Sequence, residues 1–280
     1  MPSNTPRVPK AQQRDAARQK AAEMRAVQEK RARRTRILSI SGLVVALGLL
    51  AFVIVMIFAQ RTPAPAALDP KTPLKGVTAP ATAVTNGGIP VGKEGAAGTT
   101  SGKTAAGKTA ATVAVYYDYM CPVCGNFEKA NEAPLDALVK SGDITLEYHP
   151  ISILDRLSQN TQYSTRSAQA AAYVADADPK HFVAFSEALY ANQPTENSTG
   201  LSNKEIEALA VKAEVPKAVA NKLFDKGGKF TTWVQAATKQ GTLDGVSGTP
   251  TVFINGTKTP DSLNLLVAGP LEAAIKAANG

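Results

Sequence analysis

The feature that most restricts the fold is a pair of cysteines placed where a strand gives way to a helix. The β-branched and aromatic run Thr112–Tyr117 predicts a buried strand, and a helical pattern follows Cys124. Cys121 and Cys124 are the only two cysteines of the chain. Their spacing on a first helical turn lets the sulfurs close a small disulfide ring, or separate as a dithiol, with little backbone movement. The pattern therefore predicts a redox-active pair.

The two cysteines are expected to differ in acidity. Pro122 suits the first helical position, because no hydrogen bond is lost there. Cys121 faces unpaired N–H groups and the positive end of the helix dipole, which both favour the thiolate. Lowering a cysteine pKa from ~8.5 to ~7 requires roughly 2 kcal/mol of such stabilisation. Cys124 lies one turn deeper, and we expect it to stay protonated.

Three other interpretations of the C-x-x-C spacing remain open. Zinc sites use the same spacing, and the two histidines of the chain, His149 and His181, would have to complete the ligand set. A static structural disulfide is the second alternative, although closing so short a loop removes little entropy from the unfolded chain. Two inert buried thiols are the third. The position at a helix start favours the redox interpretation, with no metal.

Positive charge is concentrated at the N-terminus. The 280-residue chain has 31 Lys and Arg against 23 Asp and Glu, for a formal net charge of +8. Residues 1–36 hold 11 of the basic and 3 of the acidic residues, so the two signs balance over the rest of the chain. This distribution predicts a basic cytoplasmic tail. It gives no support for nucleic-acid binding by the folded part.

The segment Ile37–Ala59 is a candidate membrane anchor. Its 23 residues carry no charge, and as a helix they would extend about 35 Å against a hydrocarbon core of ~30 Å. A cleaved signal peptide is the alternative, but its apolar region normally runs only ~7–15 residues. The basic cluster before the span should keep the N-terminus in the cytoplasm. We therefore expect a single-pass cell-membrane protein whose main domain is extracytoplasmic.

A change in composition follows the apolar segment. Residues 62–110 are rich in Ala, Gly, Pro and Thr, which cannot bury enough apolar area to form a core. Residues 60–83 are predicted to be a flexible linker. Within Asn86–Gly92 we expect a short edge strand, where a proline is tolerated. The main folded part then begins at the predicted strand Thr112–Tyr117, and the resemblance described below extends the domain to residues 84–280.

The first part of this domain has the pattern of a βαβ unit. The helix after the cysteines should reach about Lys140, and residues 144–149 alternate apolar and polar side chains, as in a strand with one buried face. Strand, helix and strand of this spacing form a right-handed unit with parallel strands. A helical insertion is predicted over about residues 156–228, with a capping box at Ser202–Glu205.

The last part of the domain returns to strands. Thr251–Ile254 reads as a strand, and Asn255-Gly256 is typical of a type I′ hairpin. Gly269-Pro270 should begin a closing helix. Trp233, the single tryptophan, is assigned to the core.

The order of these elements resembles an α/β thioredoxin fold with an inserted helical subdomain, here preceded by one transmembrane helix and a flexible linker. The stretch Tyr116–Cys124, taken with Gly248-Thr249-Pro250-Thr251, resembles the DsbA-like thiol:disulfide oxidoreductases in their membrane-tethered actinobacterial form. The resemblance covers residues 84–280.

The resemblance implies roles for individual residues. Cys121 would be the reactive cysteine and Cys124 the resolving one, with Pro122 and Val123 between them. Thr249-Pro250 would form a loop with a cis peptide bond beside the cysteine pair. The backbone of this loop would pair with an extended substrate peptide.

Two positions depart from the family pattern. Val123 stands where DsbA has a histidine that helps to hold the thiolate, and Val115 stands where an acid often lies six residues before the first cysteine. Asp118 is closer, and a desolvated carboxylate near Cys121 would disfavour the thiolate. These differences predict an oxidant weaker than DsbA.

The function expected from the resemblance is formation of disulfide bonds in exported cysteine-containing proteins. No cofactor is required beyond the cysteine pair itself, and the family implies a quinone-linked reoxidant in the membrane. Two alternatives stay open: a reductase or isomerase on the same fold, and a tethered binding module that does not use the chemistry.

Overall fold

The computed structural model describes residues 68–92, 95–96 and 110–279. The predicted basic tail, the candidate anchor Ile37–Ala59, the first residues of the predicted linker and residues 97–109 lie outside these described residues. Within the described part, no helix is both long and apolar enough to cross a bilayer.

A six-stranded mixed sheet forms the centre of the domain. Its strands lie in the order β2-β1-β4-β3-β5-β6. They are β1 (Ile89–Gly92), β2 (Gly95–Ala96), β3 (Ala111–Tyr117), β4 (Ile144–Pro150), β5 (Thr251–Ile254) and β6 (Thr257–Lys258). The β3–β4 pair is parallel, as predicted for the βαβ unit, and the other neighbouring pairs are antiparallel.

Seven helices accompany the sheet in the described residues. They are α1 (Pro122–Ser141), α2 (Tyr163–Ala177), α3 (Phe182–Ala191), α4 (Asn203–Lys212), α5 (Lys217–Ala220), α6 (Thr231–Leu243) and α7 (Pro270–Asn279). The helices α2 to α5 make up the predicted insertion. The predicted capping box is present at the start of α4, where Ser202 and Glu205 bond to each other's backbone amides.

The strand β4 corrects one prediction. Its polar positions were expected to face solvent, yet all seven of its residues are buried. The apolar face, including Tyr148, packs on Phe182 of α3. The polar face is covered as well, because His149 stacks on Tyr116 with ring centroids 4.1 Å apart, and α6 packs over this side. A parallel strand between two helical layers is buried on both faces.

The predicted linker is also shorter than expected. Residues 68–83 lie on the folded domain, and Leu74 and Val77 pack against its core. The Ala81 amide donates to Asp176 Oδ1 at 2.8 Å, and the Thr82 hydroxyl donates to the Ala175 carbonyl at 3.2 Å. A few apolar side chains are enough to hold this segment in place, because they pack against the core of the domain and do not have to form a core of their own. The flexible-linker prediction is therefore wrong for residues 68–83.

The segments flanking the sheet agree with prediction in kind. The expected short strand is β1, but β2 pairs with its end at Val91 and Gly92, so it is not the outermost strand there. Asn255 and Gly256 both have positive φ, 51° and 78°, as a type I′ hairpin requires. Trp233 is only 1% exposed, which confirms its place in the core.

Candidate active site

The turn between β3 and α1 sets the position of the cysteine pair. Cys121 is the N-cap residue of α1, with φ −75° and ψ 112°, and Pro122 occupies the first helical turn. The Cys121 amide donates to the Asp118 carbonyl at 3.0 Å, and the Met120 amide donates to Asp118 Oδ1 at 2.9 Å. An aspartate that accepts from the backbone two residues on is a standard way to build a tight turn.

The two thiols are not joined in a disulfide in this structure. Cys121 is 6% exposed and Cys124 only 1%. Val123, between them, is 42% exposed. The first sulfur is therefore the one nearer to solvent, and the second lies inside the domain.

The thiol of Cys121 is unusually acidic. A hydrogen bond from the Cys124 thiol is the main factor that lowers its pKa to about 6, and it outweighs the opposing effect of burial. Thr249 and the backbone amides of Cys124 and Val123 lower the pKa further. Amides at a helix start point toward the sulfur, so they stabilise its negative charge.

The thiol of Cys124 is shifted in the opposite direction. Burial raises its pKa well above the ordinary value, and the neighbouring Cys121 raises it further. At neutral pH the pair therefore holds one proton, on the inner sulfur, while the outer sulfur is a thiolate. Such a dithiol is differentiated for nucleophilic attack by one sulfur only.

The loop before β5 brings a distant part of the chain to the pair. The Thr249–Pro250 peptide bond is cis. The Cys121 thiol lies 3.3 Å from the carbonyl oxygen of Thr249, to which it can donate. Val123, Thr249 and Pro250 also line one surface groove of about 560 Å³, together with residues 258–266. The structure thus collects the site residues that the sequence singled out, apart from Asp118.

Asp118 has a different place from the one expected. Its side chain is fully buried, and Oδ2 accepts from the Leu154 amide at 2.9 Å while Oδ1 accepts from Met120. Burial raises its pKa to about 7. The carboxyl is not among the groups that shift the pKa of Cys121. Its contribution is to tie the turn to the segment after β4.

A residue of the helical insertion also reaches the turn. The side-chain amide of Gln193, just after α3, donates to the Tyr119 carbonyl at 3.0 Å and to the Cys121 carbonyl at 2.9 Å. Nothing in the sequence pointed to Gln193, because it lies 72 residues from Cys121 in an ordinary loop.

A cluster of tyrosines packs beneath the cysteines. Hydrogen bonds join the Tyr117 and Tyr119 hydroxyls at 3.2 Å, and the Tyr119 hydroxyl to Ser186 Oγ at 2.9 Å. Burial raises the pKa of Tyr190, and the nearby Cys124 raises it further. These rings exclude water from the inner sulfur, which accounts for its high pKa.

The histidines considered as zinc ligands have other partners. His149 contacts Glu147 and stacks on Tyr116, and His181 pairs with Asp178 at 2.6 Å. Among the described residues, no group of three or more His, Cys, Asp or Glu side chains is arranged to hold a metal ion. The geometry of the pair is that of a dithiol.

Comparisons with known proteins agree with this geometry. A family model described as Thioredoxin matches residues 99–267. Oxidised DsbA of Mycobacterium tuberculosis is 31% identical, with a TM-score of 0.55 over 69% of this chain and 93% of that one. MdbA of Actinomyces oris, a thiol-disulfide oxidoreductase, is 22% identical with a TM-score of 0.57, over 77% of this chain and 96% of that one, and shows the fold alone.

A curated relative matches over a shorter stretch. The serine/threonine-protein kinase PknE of Mycobacterium tuberculosis is 29% identical over 148 residues, which are 51% of this chain and 26% of the kinase. The likeness thus spans about a quarter of that protein. From the family match, the fold and the asymmetric dithiol together, the chain belongs to the thioredoxin family and, within it, to the DsbA-like thiol-disulfide oxidoreductases.

Proposed function

We propose that the chain oxidises cysteine pairs in exported proteins, using the Cys121–Cys124 disulfide as the electron acceptor. The observation that carries this proposal is the opposite shift of the two thiol pKa values. A pKa of about 6 at Cys121 stabilises the reduced pair as a thiolate at neutral pH. A disulfide whose reduced form is stabilised in this way is an oxidant.

The reaction runs in two exchange steps. A substrate thiolate attacks the Cys121 sulfur of the disulfide, the S–S bond breaks, and Cys124 leaves and takes up a proton. A second substrate thiolate then attacks the substrate sulfur of this mixed disulfide, and Cys121 leaves as a thiolate. The substrate loses two electrons, which the cysteine pair gains. Because its pKa is about 6, Cys121 is a good leaving group in the second step.

The groove beside the Thr249–Pro250 loop is the proposed binding place for the substrate. It lies next to Cys121, and its rim includes Leu266, which is 43% exposed. An extended peptide in this groove would have its backbone beside that of Thr249 and its cysteine beside Cys121. This mode recognises main chain, so it suits a catalyst with many substrates.

The first prediction concerns the strength of the oxidant. The pKa of about 6 lies between those of the nucleophilic cysteines of thioredoxin, ~7, and DsbA, ~3.5. We therefore expect a reduction potential between about −270 and −120 mV, the values of those two proteins. Equilibration of the full chain in detergent with glutathione buffers, followed by alkylation, measures it.

A reduction potential outside that interval would favour a different interpretation of the chain. A value at or above ~−120 mV would contradict the expectation of an oxidant weaker than DsbA. A value at or below ~−270 mV would favour the reductase on the same fold. A chain that fails to oxidise a reduced dithiol peptide at any potential would instead support the non-catalytic binding module.

The second prediction concerns location. The uncharged segment Ile37–Ala59 and the basic residues before it support a single-pass anchor with an extracytoplasmic domain. A membrane-impermeant maleimide should then label the reduced thiol of Cys121 in intact cells pretreated with a mild reductant. Labelling only after the cells are lysed would place the domain in the cytoplasm. A quinone-linked membrane protein is the proposed reoxidant.

A further inference from the structure

The turn that carries Cys121 is held from two sides. On the inner side, both oxygens of Asp118 accept backbone amides, from Met120 and Leu154. On the outer side, the Gln193 side-chain amide donates one hydrogen bond to the Tyr119 carbonyl and one to the Cys121 carbonyl. A primary amide has two N–H donors, so both are used on this turn.

The Cys121 carbonyl has a double function in this arrangement. It accepts the amide of Gly125 at 3.2 Å, which is the first hydrogen bond of the α1 ladder, and it also accepts from Gln193 at 2.9 Å. The orientation of this carbonyl fixes the peptide plane that joins Cys121 to the helix. That plane in turn determines whether the sulfur meets the free amides of Val123 and the residue after it.

Gly125 supports the same contact from the helix side. A Cβ atom placed there would come within 2.5 Å of Gln193 Oε1. The glycine is in the interior of α1, where it lowers helix stability relative to alanine. Its absence of a side chain leaves the space that the Gln193 amide occupies.

We infer that Gln193 is a positioning residue, which holds the Cys121 sulfur at the N-terminus of α1 from the helical insertion. The inference rests on the proposed function, because it assigns Gln193 a part in the exchange reaction of that site. Gln193 does not touch the sulfur. It acts through the carbonyls of Tyr119 and Cys121, whose positions its hydrogen bonds hold.

The test is a titration of the thiolate in the reduced full chain in detergent, followed by its ultraviolet absorbance. Gln193→Met keeps the length of the side chain and removes both donors. We expect it to raise the pKa of Cys121 by about half a unit to one unit, or roughly a threefold to tenfold smaller thiolate population below that pKa. Asn192→Ala is the matched control, since the Asn192 side chain donates to the Ala188 carbonyl of its own helix and bonds to no other described residue.

A second variant reaches the same contact without altering Gln193. Gly125→Ala should displace the flexible Gln193 side chain, and its effect on α1 itself should be stabilising. We expect the same rise in the pKa of Cys121, and the double variant Gly125→Ala with Gln193→Met should show no further rise. If Gln193→Met does not fold, the pKa of Cys121 in Gly125→Ala tests the positioning role of Gln193.

The outcomes separate the inference from the function on which it rests. If the wild-type chain exchanges disulfides and neither variant shifts the pKa of Cys121, or if Asn192→Ala shifts it equally, Gln193 has no positioning role. If the wild-type chain exchanges no disulfides, the proposed function fails, whatever the titration gives. A shift in both Gln193→Met and Gly125→Ala, absent from the control, supports the inference.

Discussion

Replacing Cys121 with serine should reduce the rate of disulfide exchange by roughly a thousandfold or more, because a serine hydroxyl cannot form or carry the mixed disulfide. The rest of the site should change little, since the two side chains have nearly the same shape. The measurement is oxidation of a reduced dithiol peptide by the full chain in detergent. Retained activity in Cys121→Ser would support the non-catalytic binding module.

Cys124→Ser should behave differently from Cys121→Ser, although the two residues lie one helical turn apart. The remaining Cys121 still has amides at the helix start to stabilise its thiolate, so it can react with substrate disulfides. Without the inner sulfur, the mixed disulfide cannot be resolved within the protein and should accumulate. Non-reducing electrophoresis of cells that express the variant would show these adducts.

A control is needed to show that the adducts of Cys124→Ser form through Cys121. The double variant with Cys121→Ser should form none. Equal amounts of adduct through either single variant would contradict the assignment of Cys121 as the attacking sulfur. The proteins attached would be the exported substrates of the proposed function.

The second large effect concerns the pH dependence of stability. Burial raises the pKa of Asp118 to about 7 and that of Glu128, on α1, to about 8. Nearby Glu132 and Glu187 raise the pKa of Glu128 further. These acids are therefore largely neutral in the folded domain at pH values where they are charged in the unfolded chain.

The sign of the effect follows from these shifts. A group whose pKa is higher in the folded state stabilises the fold below its unfolded pKa, and this stability is lost as the pH rises through the folded pKa. For Asp118 and Glu128 that window runs from about pH 4 to about pH 8. The pKa of Cys121 is lowered, so the reduced protein gains stability over part of this range. The oxidised protein is the form to measure.

We expect the free energy of unfolding of the oxidised chain to fall by about 3 kcal/mol between pH ~5.5 and ~8.5. This value is lower than the two shifts imply, because the carboxyl of Glu128 is only partly buried and is screened by solvent. Denaturant unfolding of the full chain in detergent at several pH values measures it. A stability that rises with pH over this range would contradict the expectation.

Glu128→Gln is the matched variant for this prediction. A glutamine resembles the neutral carboxyl in shape and cannot ionise, so the variant should match the wild type near pH ~4, where the window begins. Near pH ~8.5 it should be more stable by about 1–2 kcal/mol. Glu205→Gln would not serve as a control for Glu128→Gln, because the Glu205 side chain takes part in the capping box of α4. An unchanged pH dependence in Glu128→Gln would mean that the pKa of Glu128 is not raised in the folded domain.

Much of the fold was readable from local patterns. The run before Cys121, the capping box at Ser202 and the Asn255-Gly256 turn each depend on neighbours within a few residues. The residues that form such a strand, cap or turn are neighbours in the sequence, so hydrophobic periodicity and turn preferences reveal these features. The parallel β3–β4 pair follows from the same patterns, because the spacing allows few other connections.

Other features depended on contacts between distant segments. The burial of both faces of β4 required α6 to cover Tyr116 and His149, and nothing in the alternation of residues 144–149 indicates that cover. Residues 68–83 have the composition of a linker, and only the core of the folded domain gives Leu74 and Val77 a place to pack. Composition indicates whether a segment can form a core by itself. It does not indicate whether the segment can pack against another part of the domain.

The sequence by itself determined the chemistry of this protein: two cysteines at a helix start, in an order of elements that few folds share. The tertiary structure decided how that chemistry is tuned. Asp118 turned out to face backbone amides, and Gln193 arrives from 72 residues away to hold the Cys121 carbonyl. Helix ends and turns are local, whereas burial and hydrogen bonds across the chain exist only after it has folded.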